Sequence, residues 1–409
     1  MRNVLLSVFV TAGALSAASV HTDFEGGALG QVQKVSDTHF RLGAKGEKDQ
    51  DGRNRQANWY YFRVDDAGPR DLTFDIIDLA GEYNYKANRG AVTKDTPPVI
   101  SYDGKIWRHV ETFDYDPDEP KLTLHVHPTG PRFWIAHTPP YTNETLARLR
   151  GEIRNNPAFH EEVVGKTAGG RDMPLWTIGD LASNGSVSKD KKTVWLMFRQ
   201  HSWESGSSWA GEGAVRMLLG AEAQSKSLRD RVIWKIFPLC DPDGVARGGV
   251  RFNAGGYDLN RNWDVSDPIK MPEITAQRKA IKAWLDGGGH IDLFFSLHNT
   301  ETSEYLQGPP DGARDAHVAA TAQRFFKALT DHSTFAPTQP LSYAEKTTTA
   351  GKPGRMTVIQ GLYADYKIVG FLMEQRVSNN PKLGRLPEIP DRLKFGRELV
   401  GAIAETVSP

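Results

Sequence analysis

Residues 193–198 (TVWLMF), 231–239 (RVIWKIFPL), 291–297 (IDLFFSL) and 367–373 (KIVGFLM) are near-continuous apolar runs separated by amphipathic helical stretches. A strand that is apolar on both faces must be covered on both, so this alternation predicts an α/β domain with a mostly parallel sheet. Helices are expected at 209–224, at 273–285 with a stop at Gly287, at 317–329 and at 392–405. Before residue 162 the grammar differs. Segments 58–64 (NWYYFRV), 71–79 (DLTFDIIDL), 99–102, 121–126 and 132–137 are rich in aromatic and β-branched residues and are punctuated by Gly, Pro and Asp. They predict a small antiparallel β-sandwich that ends at Pro139-Pro140, and a helical segment over 145–154 opens the next unit. The expected organisation is a leader over 1–20, a β-sandwich over 21–140, and an α/β/α domain with a mixed, mostly parallel sheet over 141–409.

The leader has the pattern of a secretory signal peptide: Arg2, an almost uncharged stretch from 4 to 15, then Ser16, Ala17, Ala18 and Ser19. Its apolar stretch is shorter than the roughly 20 residues of a membrane span, and the small residues predict cleavage near Ala18, with an uncleaved anchor as the alternative. The mature chain is therefore expected to be exported, to the periplasm or outside the cell, with no stable membrane insertion once the signal is removed. A lone Cys240 can form neither an internal disulfide nor a cysteine metal site. With 50 Lys+Arg against 50 Asp+Glu there is no electrostatic footprint for nucleic acid or an anionic membrane. A chain of 409 residues can bury its own core, so a metal, if present, would be catalytic rather than structural.

In open α/β sheets, ligands bind beyond the carboxyl ends of the strands. Polar groups stand there after each apolar run: His201 and Glu204 after the first; Asp241-Pro-Asp-Gly244, Arg251 and Asp258-Leu-Asn-Arg261 after the second; His298 after the third; Glu374 after the fourth. Two histidines and a carboxylate make a three-ligand zinc set that leaves a position open for chemistry. His-x-x-Glu alone is weak evidence, because such a pair is more often structural. Asn260 beside Arg261 suits a carboxylate, and Arg251 could stabilise an oxyanion. Surface ion pairs are the alternative for both arginines, and it loses ground because the segment is rich in glycine (Gly244, Gly248, Gly249, Gly255, Gly256), as expected where backbone bends into a crowded site. Glu374 follows an apolar run, so poor solvation should raise its pKa and suit it to proton transfer. A buried ion pair with Arg376 or another arginine is the alternative.

With these residues in place, the sequence resembles the carboxypeptidase A-like zinc metallocarboxypeptidases, closest to the cytosolic carboxypeptidase branch with its N-terminal β-sandwich. The resemblance implies one zinc per chain, bound by His201, Glu204 and His298, with Asp258 orienting the first histidine. It implies Arg251 as the oxyanion residue, Asn260 and Arg261 as the carboxylate pair, and Glu374 as general base and acid. The expected substrates are C-termini of peptides or proteins. A murein-peptide amidase and a catalytically inactive binding protein are the alternatives. Trp203 stands where the branch usually has a small residue, and is expected to reshape a substrate subsite. Tyr343, Tyr363 and Tyr366 compete for the role of a tyrosine that closes over the substrate. Lys352 and Arg355 could read an acidic C-terminal residue or be solvated charges.

Overall fold

The computed structural model describes residues 17–83, 85–88, 92–180, 191–345 and 356–408. Most of the expected leader, and the segment carrying Lys352 and Arg355, lie outside the described residues.

Strict alternation builds the N-terminal domain. In Leu72–Ile77 the side chains of Leu72, Phe74 and Ile76 are buried, while Thr73, Asp75 and Ile77 are not fully covered. A face of period two must pack on another sheet. One five-stranded sheet runs in the order Ser19–His21, Tyr61–Asp65, Phe133–Ala136, Val99–Ser101, Arg108–His109. The facing sheet runs Phe113–Asp116, Lys121–Val126, Leu72–Ile77, His39–Gly43, Val32–Lys34. Phe62 and Phe133 of the first sheet meet Phe74 of the second at ring-centroid distances of 5.8 and 6.1 Å. The sandwich departs from the antiparallel expectation at one place: His39–Gly43 pairs parallel with Leu72–Ile77. Between them the chain crosses to the other sheet as Tyr61–Asp65, which frees this pair from hairpin geometry. A smaller four-stranded sheet, Glu47–Lys48, Arg55–Gln56, Gly81–Tyr83 and Lys86–Asn88, leaves the sandwich on the side of the second domain.

The second domain is built on an eight-stranded mixed sheet ordered Phe159–Lys166, Asp172–Ile178, Val232–Phe237, Lys192–Phe198, Leu293–Thr300, Gly370–Arg376, Tyr305–Gly308, Ser342–Tyr343. The four apolar runs form its parallel centre. All six residues of Val232–Phe237 are buried, as a strand covered on both faces requires. Val194, Leu196 and Phe198 pack under the helices Ser205–Leu218 and Ile389–Val407, whereas Trp195 and Met197 pack under Pro272–Asp286 and Val358–Tyr366. Cys240 is buried in this second layer, and burial pushes its thiol pKa up. The helix expected at 209–224 is in fact Ser205–Leu218 followed by a second helix, Ala223–Arg231, and two further boundary differences bear on the site. The strands Leu293–Thr300 and Gly370–Arg376 continue through His298 and Glu374, which pair in register, instead of ending before them. Hydrophobicity stops where the site begins, but the backbone ladder does not. No helix among the described residues is long and apolar enough to cross a membrane.

Candidate metal centre

The site begins at a strained turn. Arg199, the first residue after the central strand, has φ 62°, and its 1%-exposed guanidinium donates to the Ser202 carbonyl and to Ser208 Oγ. A non-glycine residue in the left-handed region is held there only when its surroundings over-determine it. This buried arginine closes the 199–204 turn, which projects His201 and Glu204 before the helix Ser205–Leu218 starts. Sequence reasoning did not single it out. Burial lowers its pKa to about 9, so it still carries its charge at neutral pH.

One carboxylate joins both histidines. Glu204 Oε1 lies 2.6 Å from His201 Nδ1, and its Oε2 lies 2.9 Å from His298 Nδ1. The three donor atoms lie within 4.8 Å of one another, and all three residues are buried. Burial alone would raise the Glu204 pKa; the two imidazoles overcome this and hold the carboxyl below its usual range. The far nitrogens are also occupied. His201 Nε2 is 3.0 Å from Asp258 Oδ1, and His298 Nε2 is 3.1 Å from both Ser296 Oγ and Gln200 Oε1. Imidazoles whose rear nitrogens are tied this way present their Nδ1 lone pairs inward, the usual arrangement of histidine metal ligands. Two nitrogens and a carboxylate oxygen, buried and convergent, fit zinc.

Arg251 is fixed from two sides. Its Nε donates to Asp258 Oδ2 at 2.7 Å. Its backbone N–H, with those of Val250 and Phe252, donates to a single oxygen of Glu47 at 2.6, 3.0 and 2.8 Å. Glu47 belongs to the small sheet, also pairs with Arg247 at 2.5 Å, and was not visible as a functional residue in the sequence. Burial would raise the Asp258 pKa, but Arg251 and His201 outweigh it and hold this carboxyl well below the usual range.

Glu374 faces the same space. Among the described residues its Oε2 is buried with no hydrogen-bond partner, and Arg376 pairs instead with Glu304 at 3.2 Å. The ion-pair alternative for Glu374 therefore does not hold here. Burial, then the neighbouring Glu204 carboxylate, push the Glu374 pKa well above its ordinary value, while Arg251 opposes them. A cavity of about 330 Å³ connects Glu204, Glu374, Arg251 and Trp203 with Asn58 of the N-terminal domain.

Asn260 and Arg261 do not stand side by side. Asn260 is 2% exposed, its Oδ1 accepts from Val358 N at 2.9 Å and its Nδ2 lies 3.3 Å from His298 Nε2. The turn folds inward because Leu259 and Trp263 on either side are core residues, and this carries the amide with them. Arg261 is exposed and faces a second cavity of about 310 Å³, shared with Arg251 and with Gln56 and Tyr83 of the small sheet. Trp203 is 4% exposed and packs on His137 at 5.7 Å and on the sandwich cluster of Trp59, Tyr61 and Trp107. Its bulk joins the two domains as well as bordering the cavity. Among the described residues, neither cavity is lined by Tyr343, Tyr363 or Tyr366. Tyr305, unremarked in the sequence, pairs across the sheet with Glu374.

A mixed sheet with an N,N,O cluster at the carboxyl ends of its parallel strands, beside a buried carboxyl oxygen that has no partner among the described residues and a fixed arginine, defines a hydrolase site of the metallopeptidase type. Comparison with known proteins makes this specific. The family model described as zinc carboxypeptidase matches residues 151–333, and that of the cytosolic carboxypeptidase N-terminal domain matches residues 20–137. The chain belongs to the zinc carboxypeptidase family, a family of peptide-bond hydrolases. An uncharacterized protein of Zymomonas mobilis is 24% identical over 95% of this chain and 96% of its own. Mouse cytosolic carboxypeptidase 6 is 24% identical over 78% of this chain, which spans 66% of the mouse protein. The metallo-carboxypeptidase structure from Burkholderia cenocepacia shares the fold, with a TM-score of 0.79 at 24% identity over 96% of this chain and 99% of that one.

Proposed function

We propose that this protein is an exported zinc exopeptidase that hydrolyses the C-terminal peptide bond of peptides or proteins. The observation that carries the reading is the convergence of His201, Glu204 and His298 to within 4.8 Å beside the partnerless Glu374 carboxyl oxygen. Zinc held by these three residues would supply Lewis-acid polarisation of the scissile carbonyl and acidify a water.

The chain's own groups do the rest. Asp258 keeps the His201 ring in one orientation by accepting a hydrogen bond from its Nε2–H. Glu374 removes a proton from the attacking water and returns it to the leaving amine, work that suits a carboxyl with a raised pKa. Arg251, held by Glu47 and Asp258, supports the negative charge that develops on the carbonyl oxygen. Arg261 receives the substrate's terminal carboxylate, and Asn260 ties that turn to Val358. Export is supported by the leader pattern and by the position of the first sandwich strand, Ser19–His21, immediately after the expected cleavage site.

The test combines metal analysis with mass spectrometry of a peptide library that varies only in its last residue. About one zinc per chain and chelator-sensitive loss of a single C-terminal residue are expected. A metal-free preparation that shortens no peptide would overturn the proposal. In a host that exports the protein, N-terminal sequencing should start near Ser19, and an intact leader on cytosolic protein would refute the export part.

A further inference from the structure

The cavity that holds Glu374 and Glu204 contains a third carboxylate, one with no assigned role. Glu301, just beyond the strand that carries His298, borders the cavity together with Glu204, Glu374 and Arg251. Its Oε1 accepts from Asn58 Nδ2 at 3.0 Å, a bond that crosses from the sandwich to the α/β domain. Among the described residues it forms no ion pair, and the one nearby cation that lines the cavity, Arg251, donates to Asp258.

Asn58 is 1% exposed, and its Oδ1 has no partner among the described residues. A buried amide with an orphaned oxygen costs free energy. Here that amide's one side-chain bond orients a carboxylate without neutralising it. A cation in place of Asn58 would have satisfied Glu301 within the fold. Instead, three carboxylates share the cavity wall with one committed guanidinium, and zinc would offset Glu204 rather than Glu301. Burial and the Glu204 charge also make the ionised form of Glu301 unfavourable as it stands. An incoming cation removes that penalty, because a charge-assisted hydrogen bond in a poorly solvated cleft is stronger than one in water.

We propose that Glu301, oriented by Asn58 of the sandwich, is a specificity-determining residue that binds an ammonium group of the substrate. The inference rests on the exopeptidase reading and deepens it. It also gives the N-terminal domain a part in substrate choice, with Asn58 as a positioning residue. The ammonium could be the free α-amine of a short peptide or the side chain of a basic residue upstream of the scissile bond.

The test uses the full-length zinc-loaded chain and two substrate pairs that end in the same residue. One pair is a dipeptide and its N-acetyl form; the other is an N-acetylated tripeptide with lysine or norleucine at the penultimate position. The wild-type protein should favour the cationic member of at least one pair by about tenfold in kcat/KM, and the pair identifies the source of the amine. Glu301→Gln should abolish that ratio, Glu301→Lys should invert it, and Asn58→Ala should reduce it. Melting curves confirm that each variant folds. A wild-type protein indifferent to charge in both pairs, or a Glu301→Gln protein that keeps the preference, would overturn the proposal. The same pairs titrated calorimetrically into metal-free protein give a second readout, the ratio of Kd values. If the wild-type chain cleaves none of these peptides, the exopeptidase reading fails and the Kd ratio alone decides the role of Glu301.

Discussion

Glu374 owes its chemistry to its position in the sheet. The ladder that pairs it with His298 sets the carboxyl opposite a proposed metal ligand, and the apolar run before it withholds solvation. Glu374→Gln preserves the shape and the register but removes the proton-accepting oxygen. The variant should bind as much zinc as wild type while kcat falls by about 10²–10⁴-fold, measured by initial rates alongside metal emission spectrometry. A variant with undiminished kcat would take proton transfer away from this residue. Glu374 was legible from the sequence because a carboxylate after an apolar strand is rare and costly. Glu47 was not. Its oxygens act on backbone N–H groups more than 200 positions away, and no side-chain pattern records such a contact. Glu47→Gln exchanges a charged acceptor of three N–H bonds for a neutral one, so the 250–252 loop should loosen around Arg251. Because these charge-assisted bonds fix the arginine, kcat/KM should fall by about tenfold with zinc content unchanged. Equal rates in the two proteins would show that Asp258 alone is enough to hold Arg251.

At the scale of elements, the four central strands and the main helices could be read from the sequence because burial on two faces leaves an unbroken apolar signal. The edge hairpin Phe159–Lys166 and Asp172–Ile178 could not: FHEEVVGK mixes half-buried and exposed residues, and one face of an edge strand has little hydrophobic pattern to show. The two- and three-residue strands of the small sheet fall below any periodic signal, yet they bring Glu47, Gln56 and Tyr83 to the site. Helix packing was equally hidden. The helices Ser205–Leu218 and Ile389–Val407 meet so closely that a Cβ on Gly396 would lie 1.8 Å from the Ala210 carbonyl oxygen, and one on Gly213 would lie 2.0 Å from that of Leu393. Gly396→Ala must therefore push the two backbones apart. A loss of about 1–3 kcal/mol is expected in urea unfolding, typical of overpacking at a site that cannot relax. The first of these helices begins directly after Glu204, so the same variant should also release zinc to a competing chelator more readily than wild type. Unchanged stability would mean that the crossing has slack that the rigid geometry does not suggest.

At the scale of the whole molecule, the sandwich and the α/β domain are joined by groups that behave as one interior. His137, the residue after the last sandwich strand, is 1% exposed, lies between the rings of Tyr60 and Trp203 at 5.6 and 5.7 Å, and has no partner for either ring nitrogen among the described residues. Burial lowers its pKa from 6.5 to about 3, so it is neutral at physiological pH. The unfolded chain binds a proton below pH 6.5, whereas the folded chain resists until about pH 3. Stability from the neutral ring is therefore fully present above 6.5 and is lost as pH falls through this window. His137→Phe keeps an aromatic ring between Tyr60 and Trp203 but cannot titrate. Whatever its absolute stability, the variant should gain on wild type by up to about 1.4 kcal/mol for each pH unit below 6.5. Urea unfolding at a series of pH values from neutral to acidic measures this difference. Parallel pH profiles for the two proteins would mean that the ring is hydrated or charged in the folded state, and that the contact through Trp203 is looser than a shared core. A widening gap would tie the acid sensitivity of the fold to the same junction that carries the Asn58–Glu301 bond into the site.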